Sequence, residues 1–294
     1  MTVAAEPLVC PTRSLSADGT VKFSFAVGQG VTYESCLLNL GYRRIPRVVC
    51  VSTQIGCPFD CAFCAVGRIP LQRNLSASEI FNQVLHALTD PLWRGMTDPF
   101  EVAAMGTGEP MCALEEVIGA VRQAKHAFPN LRSLNVATVG IPEKIERYAD
   151  ECVEGIEFHL QLSLHGTTDQ QRTHIMPRAA RVPIADILAA CSRFARKHGR
   201  QVLVNYLLLD GFNDSEEDAM RLIKLLAPEL YSVKLSVLNR TPTFRFDTAG
   251  TRAFQSFCSV IARKGLQVRI FTSAGVDIGA GCGQFSNSLA RPAF

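Results

Sequence analysis

The sequence predicts an α/β fold, a parallel sheet with helices on its outer face and a small β-hairpin ahead of it. Three observations lead there. Past residue 47, short β-branched or apolar runs alternate with longer stretches whose apolar residues recur at i, i+3, i+4 and i+7. The alternation repeats six times, the pattern of strand-helix units feeding one parallel sheet. The 294 residues are 47% hydrophobic and 19% charged, enough apolar material to bury a full core without disulfides.

Taken in order, residues 21–27 and 31–38 read as a hairpin around the Gly-Gln-Gly stretch, with Asp18-Gly19 as an earlier turn. Strands are then expected at 48–55, 100–106, 133–138, 158–164, 202–209 and 233–238, and a seventh at 266–271. Helices are expected at 76–89, 114–128, 142–152, 184–198, 215–226 and 251–264. Ser76 and Glu79 form a capping box, and Pro142 stands where a first helical turn tolerates it. Polar or glycine-rich turns at 56–67, 106–110, 137–140, 163–166 and 239–242 follow the strands, on the rim where α/β folds place their sites. Residues 1–47 are thus an amino-terminal β extension and 48–294 the core, ending in a cysteine-bearing loop.

Several classes are excluded. The start lacks a basic segment followed by an apolar one, so no signal peptide is read, and no apolar run of about 18 residues exists to span a bilayer. A cytoplasmic protein without membrane association is expected. The net charge of +3 permits an anionic partner without arguing for one. The eleven cysteines are an odd number and scattered, as in a reducing compartment.

Cys57, Cys61 and Cys64 stand apart as C-x-x-x-C-x-x-C within GCPFDCAFC, directly after the first parallel strand. Three thiolates on one short loop can wrap a soft metal centre, zinc or iron-sulfur. Closed structural zinc wants four ligands, and no nearby residue supplies a fourth at finger spacing; three on a [4Fe–4S] cluster leave one iron open. With Phe63 before the last cysteine, the loop resembles that of the radical SAM superfamily. There the open iron chelates S-adenosylmethionine (SAM), whose reductive cleavage yields a 5′-deoxyadenosyl radical. One strand-helix unit later, GTGEP at 106–110 resembles the superfamily motif that holds the SAM ammonium, which implies roles for Gly108 and Glu109.

CVSTQIGC at 50–57, SLHG at 163–166, LLLDGFND at 207–214 and GVDIGAGCGQF at 275–285 resemble the RlmN/Cfr family, which methylates carbon 2 or carbon 8 of an adenine in 23S ribosomal RNA. The resemblance is collinear over nearly the whole chain and implies a partial (β/α)6 radical SAM barrel. It implies that Cys282 accepts a methyl group from one SAM and that Cys50 is the second catalytic cysteine. Ser163, Leu164, His165 and Asn239 match SAM-contacting positions. Thr138 stands where it can replace the family's usual serine, and Glu34 falls near an acidic proton acceptor. An sp² carbon between two ring nitrogens has no lone pair to attack the SAM methyl. In the family a second SAM therefore generates a radical on the S-methyl of Cys282, which adds to the ring; Cys50 then releases the product and leaves a Cys50–Cys282 disulfide.

The other six cysteines read as small hydrophobes, and His86, His126, His174 and His198 as surface or helix-end residues. Arg43, Arg44, Arg47, Arg178 and Arg181 could touch phosphates or form a solvated face. The family's rRNA-methylating members carry an amino-terminal RNA-binding domain and a longer basic tail. This chain begins near the β extension and ends twelve residues after Cys282, at Phe294, so it is expected to lack both. The expected substrate is accordingly a small heterocycle or nucleotide, with adenine in rRNA or tRNA as the alternative. A monomer with a flavodoxin or ferredoxin reductant is expected. A radical SAM enzyme without methyl transfer and a non-catalytic metal-binding module are the competing readings.

Overall fold

The computed structural model describes residues 10–27, 31–41, 44–241 and 246–285. It opens with three antiparallel strands, β1 (Thr12–Leu15), β2 (Val21–Ala26) and β3 (Thr32–Asn39), which continue into β4 (Arg47–Val51). After the short pair β5 (Gln54–Ile55) and β6 (Arg73–Asn74), six crossovers follow. These are α1 (Ala77–Thr89), β7 (Phe100–Ala104), α2 (Leu114–Ala127), β8 (Leu131–Thr138), α3 (Pro142–Asp150), β9 (Glu157–Ser163), α4 (Asp169–Ile175), α5 (Ile184–His198), β10 (Val202–Leu207), α6 (Glu216–Leu225), β11 (Tyr231–Ser236), α7 (Thr251–Ala262) and β12 (Val268–Phe271). The main sheet runs β1-β2-β3-β4-β7-β8-β9-β10-β11-β12, and every pair from β4 to β12 is parallel. The extension is therefore the antiparallel start of the same sheet, and Phe23, Phe25 and Leu37 share one core with the parallel strands.

Local rules account for most elements. On β2, Val21, Phe23 and Phe25 alternate inward. β7 is buried throughout, as a central parallel strand must be. Both halves of the Ser76–Glu79 capping box form, and Pro142 opens α3.

The structure departs from the sequence reading in three places. The strand read over 48–55 stops at Val51, because the Gln83 side chain on α1 bonds both backbone groups of Ser52: its Oε1 accepts the Ser52 N–H at 2.8 Å and its Nε2 donates to the Ser52 carbonyl at 2.9 Å. The chain leaves the sheet there, and β5 pairs with β6 instead. β1 escaped notice because all four of its residues are exposed and carry no alternation. α4 escaped because seven mostly polar residues hold no helical stripe; Thr168 caps it by accepting the Gln171 N–H. The Gly-Gln-Gly turn of the hairpin and Pro242 lie outside the described residues.

Beyond β12 the chain makes a short turn (Val276–Ile278) and crosses to the antiparallel end of the sheet. Gly275 N–H donates to Asp18 Oδ2 at 2.7 Å, Ser16 Oγ to Asp277 Oδ1 at 2.5 Å, and Lys22 Nζ to the Gly279 carbonyl at 3.4 Å. This tail laces the gap between the two sheet edges. Among the described residues, no helix is long and apolar enough to cross a membrane.

Candidate active site

The parallel strands deliver the predicted residues to one rim. Cys57, Cys61 and Cys64 line a cavity of about 210 Å³, as do Gly108, Glu109 and Thr138. Ser163, His165, Asn239 and Cys282 complete its wall. Cys50 lines a smaller adjoining cavity of about 70 Å³, and Cys64 and Cys282 border both. The Leu164 side chain lies in the core, and Glu34 lies on β3, bordering neither cavity.

The cysteine loop is held from beneath. Phe59, Cys61 and Phe63 pack on Ile175, Met176, Leu207 and Leu209, and Ala62 N–H donates to the Ile175 carbonyl at 2.8 Å. The loop folds back so closely at Gly67 that a Cβ there would stand 2.4 Å from the Cys61 carbonyl oxygen. Arg178 binds this loop, through its N–H to Asp60 Oδ1 at 3.1 Å and its guanidinium to the Pro58 carbonyl. Arg44 and Arg47 are paired with Glu157 and Asp98.

Burial pushes the Cys57 thiol up to about 12, despite the N–H of Phe59, and the Cys61 thiol well above its ordinary value. Neighbouring Cys64 and Glu109 add negative charge that raises Cys61 further. Three buried sulfurs without enough positive charge to ionise fit a resident cationic centre, since thiolates are what an iron-sulfur cluster binds. Among the described residues, no three His, Cys, Asp or Glu side chains are placed to hold a single metal ion.

Glu109 is the second element. Gly108 has φ +101°, and a Cβ there would meet Gln54 at 2.6 Å, so only glycine lets the strand-to-helix turn close on Gln54, whose Oε1 accepts the Glu109 N–H. The carboxylate accepts N–H bonds from Val139 at 2.9 Å and Met111 at 3.1 Å. Burial nevertheless pushes it up to about 7, against those bonds and the Thr138 hydroxyl. A buried carboxylate with no cation among its named partners suits an ammonium group such as that of SAM.

His165 follows β9 with φ 55°, a left-handed conformation unusual for a residue with a side chain. Its Nδ1 accepts the Leu207 N–H at 3.0 Å, its carbonyl accepts from Asn213 Nδ2 at 2.9 Å, and its ring meets Phe63 edge-on at 4.8 Å. Burial, then the charges of Arg172 and Lys234, hold its pKa down to about 3, so the imidazole is neutral with its proton on Nε2.

Cys282 is exposed on the tail and is clamped by its backbone. Its N–H donates to Ser273 Oγ at 3.2 Å and its carbonyl accepts from Asn239 Nδ2 at 2.9 Å, while the next carbonyl, of Gly283, accepts from Ala65 N–H at 2.8 Å. Asn239 thus binds the Cys282 loop itself. Burial pushes Cys50 up to about 12, with Cys282 adding to the shift. Glu34 Oε1 stands 3.1 Å from Lys22 Nζ.

Sequence reasoning missed three residues. Arg172, fully buried, donates to the carbonyls of Ser163, Leu164 and Val139 at 2.9–3.0 Å, tying two strand ends together. Lys234 and Asn205 pair in register on β11 and β10 and line the main cavity. The Asn205 Oδ1 is buried without a hydrogen-bond partner, an acceptor left for a ligand. No local motif marks any of them.

A cysteine loop and a buried glutamate at the carboxyl ends of six parallel crossovers define a radical SAM enzyme, and the radical SAM superfamily model matches residues 51–223. A probable dual-specificity RNA methyltransferase RlmN of Petrotoga mobilis is 34% identical over 91% of this chain and 75% of its own length. The dual-specificity RNA methyltransferase RlmN 2 of Myxococcus xanthus is 35% identical over 96% and 74%. A radical SAM methyltransferase crystal structure from Sphaerobacter thermophilus superposes with TM-score 0.87 at 33% identity, covering 97% of this chain and 83% of that one. The chain belongs to the RlmN family of radical SAM methyltransferases. Its cofactors are a [4Fe–4S] cluster and SAM.

Proposed function

We propose that the protein methylates an sp² carbon of adenine in RNA, with Cys282 carrying the methyl group and Cys50 acting as the second thiol. One observation carries the reading: the tail holds Cys282 where two cavities meet, one lined by the cluster-binding thiols and the other by Cys50. The relatives' names weigh for RNA over the small heterocycle or nucleotide that the sequence favours.

Cys57, Cys61 and Cys64 hold the cluster, and Glu109 with Gly108 and Thr138 receives the SAM ammonium; Ser163, His165 and Asn239 form the remaining wall. Bound there, cluster and SAM supply a one-electron source and a radical able to abstract hydrogen. Cys282 accepts the methyl group as a thioether, positioned by the clamp on its backbone. Neutral His165, lining the same cavity, would offer bound SAM a hydrogen-bond donor without adding positive charge to the site. The substrate–CH₂–S–Cys282 adduct radical would return one electron to the loaded cofactors and lose the ring proton; Glu34, the acceptor that the resemblance implies, borders neither cavity and pairs with Lys22, so the proton would reach it through solvent. Cys50 attacks the Cys282 sulfur, the bond to the methylene breaks, a proton completes the methyl group, and a Cys50–Cys282 disulfide remains. Arg240 follows Asn239; its largely exposed side chain pairs with Asp247 at 3.4 Å, a partner that an RNA phosphate would displace. The eleven free cysteines fit a reducing cytoplasm, and flavodoxin or ferredoxin is the proposed reductant for a monomeric enzyme.

The test incubates reconstituted protein with SAM, reduced flavodoxin and either rRNA and tRNA fragments or free adenine nucleotides. Methyladenosine in RNA is expected; methylation of the free nucleotides alone would transfer the reading to a small substrate. Cys50→Ala should accumulate RNA crosslinked to Cys282, and free product from that variant would remove Cys50 from the reaction.

A further inference from the structure

We propose that Cys36 is a third thiol of the cycle, which takes over the disulfide left between Cys50 and Cys282 and returns Cys282 to its free form. The proposal rests on the roles given above to Cys50 and Cys282.

Cys36 sits on β3 directly opposite Cys50 on β4. Opposed residues of an antiparallel pair project to the same face with Cα atoms about 4.5–5.5 Å apart, inside the roughly 4.4–6.8 Å that a disulfide bridges. On the other side of β3, Lys22 opposes Cys36, so Lys22, Cys36 and Cys50 form one row across three strands. Cys36, Cys50 and Cys282 line the same cavity of about 70 Å³. Ala280 and Phe285, either side of Cys282 in the chain, pack against Cys36 and Cys50. Cys36 is 1% exposed, whereas Cys282 is open to solvent. A cysteine that only filled space would need no sulfur neighbour; this one shares its cavity with both reacting thiols.

A Cys50–Cys282 disulfide blocks the next cycle, since Cys282 must be free to accept another methyl group. The Cys36 thiolate attacks Sγ of Cys50, the bond to Cys282 breaks, and the electron pair leaves on the Cys282 sulfur. The proton lost by Cys36 balances the one Cys282 takes up, and no net oxidation occurs. Burial, then Cys50 and Glu34, hold the Cys36 thiol well above its ordinary value; the Lys22 ammonium in the same row, paired with Glu34, is the neighbour that offsets this toward the attacking thiolate. An external dithiol later returns two electrons and two protons to the Cys36–Cys50 disulfide. The oxidised bond is thereby stored between two adjacent strands, and the tail is released from it.

Disulfide mapping tests this. The cluster-loaded protein is equilibrated anaerobically with glutathione disulfide, quenched in acid, alkylated and digested. The expected result is a Cys36–Cys50 linked peptide with Cys282 alkylated. A Cys50–Cys282 link with Cys36 alkylated, or glutathione on Cys282 with no protein link, would overturn the proposal. Cys36→Ser and, against a folding failure of that variant, Cys36→Val should both shift the link to Cys50–Cys282. A second arm runs one turnover with RNA and no added thiol. Methylated RNA with a Cys36–Cys50 link is expected, and methylated RNA with a persisting Cys50–Cys282 link would refute the relay. Absence of methylated RNA would count against the RNA reading, and the glutathione arm would still decide the role of Cys36.

Discussion

The cysteine loop and the tail seam both bring thiols to the active site, but opposite forces hold them. The loop is short, and its aromatic residues sink into a cluster of Ile175, Met176, Leu207 and Leu209, with Arg172 knotting the strand ends behind it. The seam joins residues more than 250 positions apart, such as Asp18 and Gly275, through hydrogen bonds at the sheet edges. The first region is built to hold an arrangement fixed, and the second to bring a thiol distant in sequence to it. Four measurements sharpen or break that contrast.

The largest effect is expected on the loop itself. Cys61→Ala should remove the visible absorption of the reconstituted cluster and all SAM cleavage; a cluster that persists with full intensity would show that Cys61 is no ligand. Next is Arg172→Met, which strands three carbonyl acceptors in the interior. At about 1–3 kcal/mol for each buried group left unpaired, a loss of about 3–5 kcal/mol is expected in denaturant titration. A change under about 1 kcal/mol would mean that water replaces the guanidinium.

The two regions should also titrate apart. An unfolded imidazole takes a proton below about 6.5, whereas His165 resists until about 3. The unfolded chain therefore binds the extra proton across that window, and stability falls as the pH drops from about 6.5 toward 3. His165→Gln should flatten the slope of stability against pH in that range, and an unchanged slope would place the titration elsewhere. At Asp18, burial opposes the charge, but N–H bonds from Gly275 and Thr20 and the hydroxyls of Thr20 and Ser16 outweigh it and hold the carboxyl down to about 2. Its contribution is full above about 4 and fades only as the pH falls toward 2. Because Asp18 is exposed, screening limits Asp18→Ala to no more than about 1 kcal/mol. Its signature is faster hydrogen exchange at the Gly275 amide while β7 stays protected; equal loosening of both would erase the distinction.

The same contrast explains what the sequence made legible. The six parallel crossovers could be read because buried strands and amphipathic helices repeat a local pattern, and the cysteine motif because Cys57, Cys61 and Cys64 lie on eight consecutive residues. The seam could not be read that way. Cys36 opposes Cys50 only through strand register, and Asp18, read as a turn residue, is also the anchor of Gly275. Arg172 sits in a polar helix with no apolar stripe to announce its burial, and Ser52 ends its strand only because a glutamine 31 positions later reaches back to it. Cys282 was recognised through its family resemblance; composition alone suggested a packing residue.

The lacing of residues 275–285 onto the first hairpin also sets an order of assembly. During synthesis, the six crossovers and the cysteine loop leave the ribosome before the segment that carries Cys282. Contacts spanning 257 residues are the last to close. The large cavity can therefore receive its inorganic centre while one side of the barrel is still open, and Cys282 arrives afterward as the door.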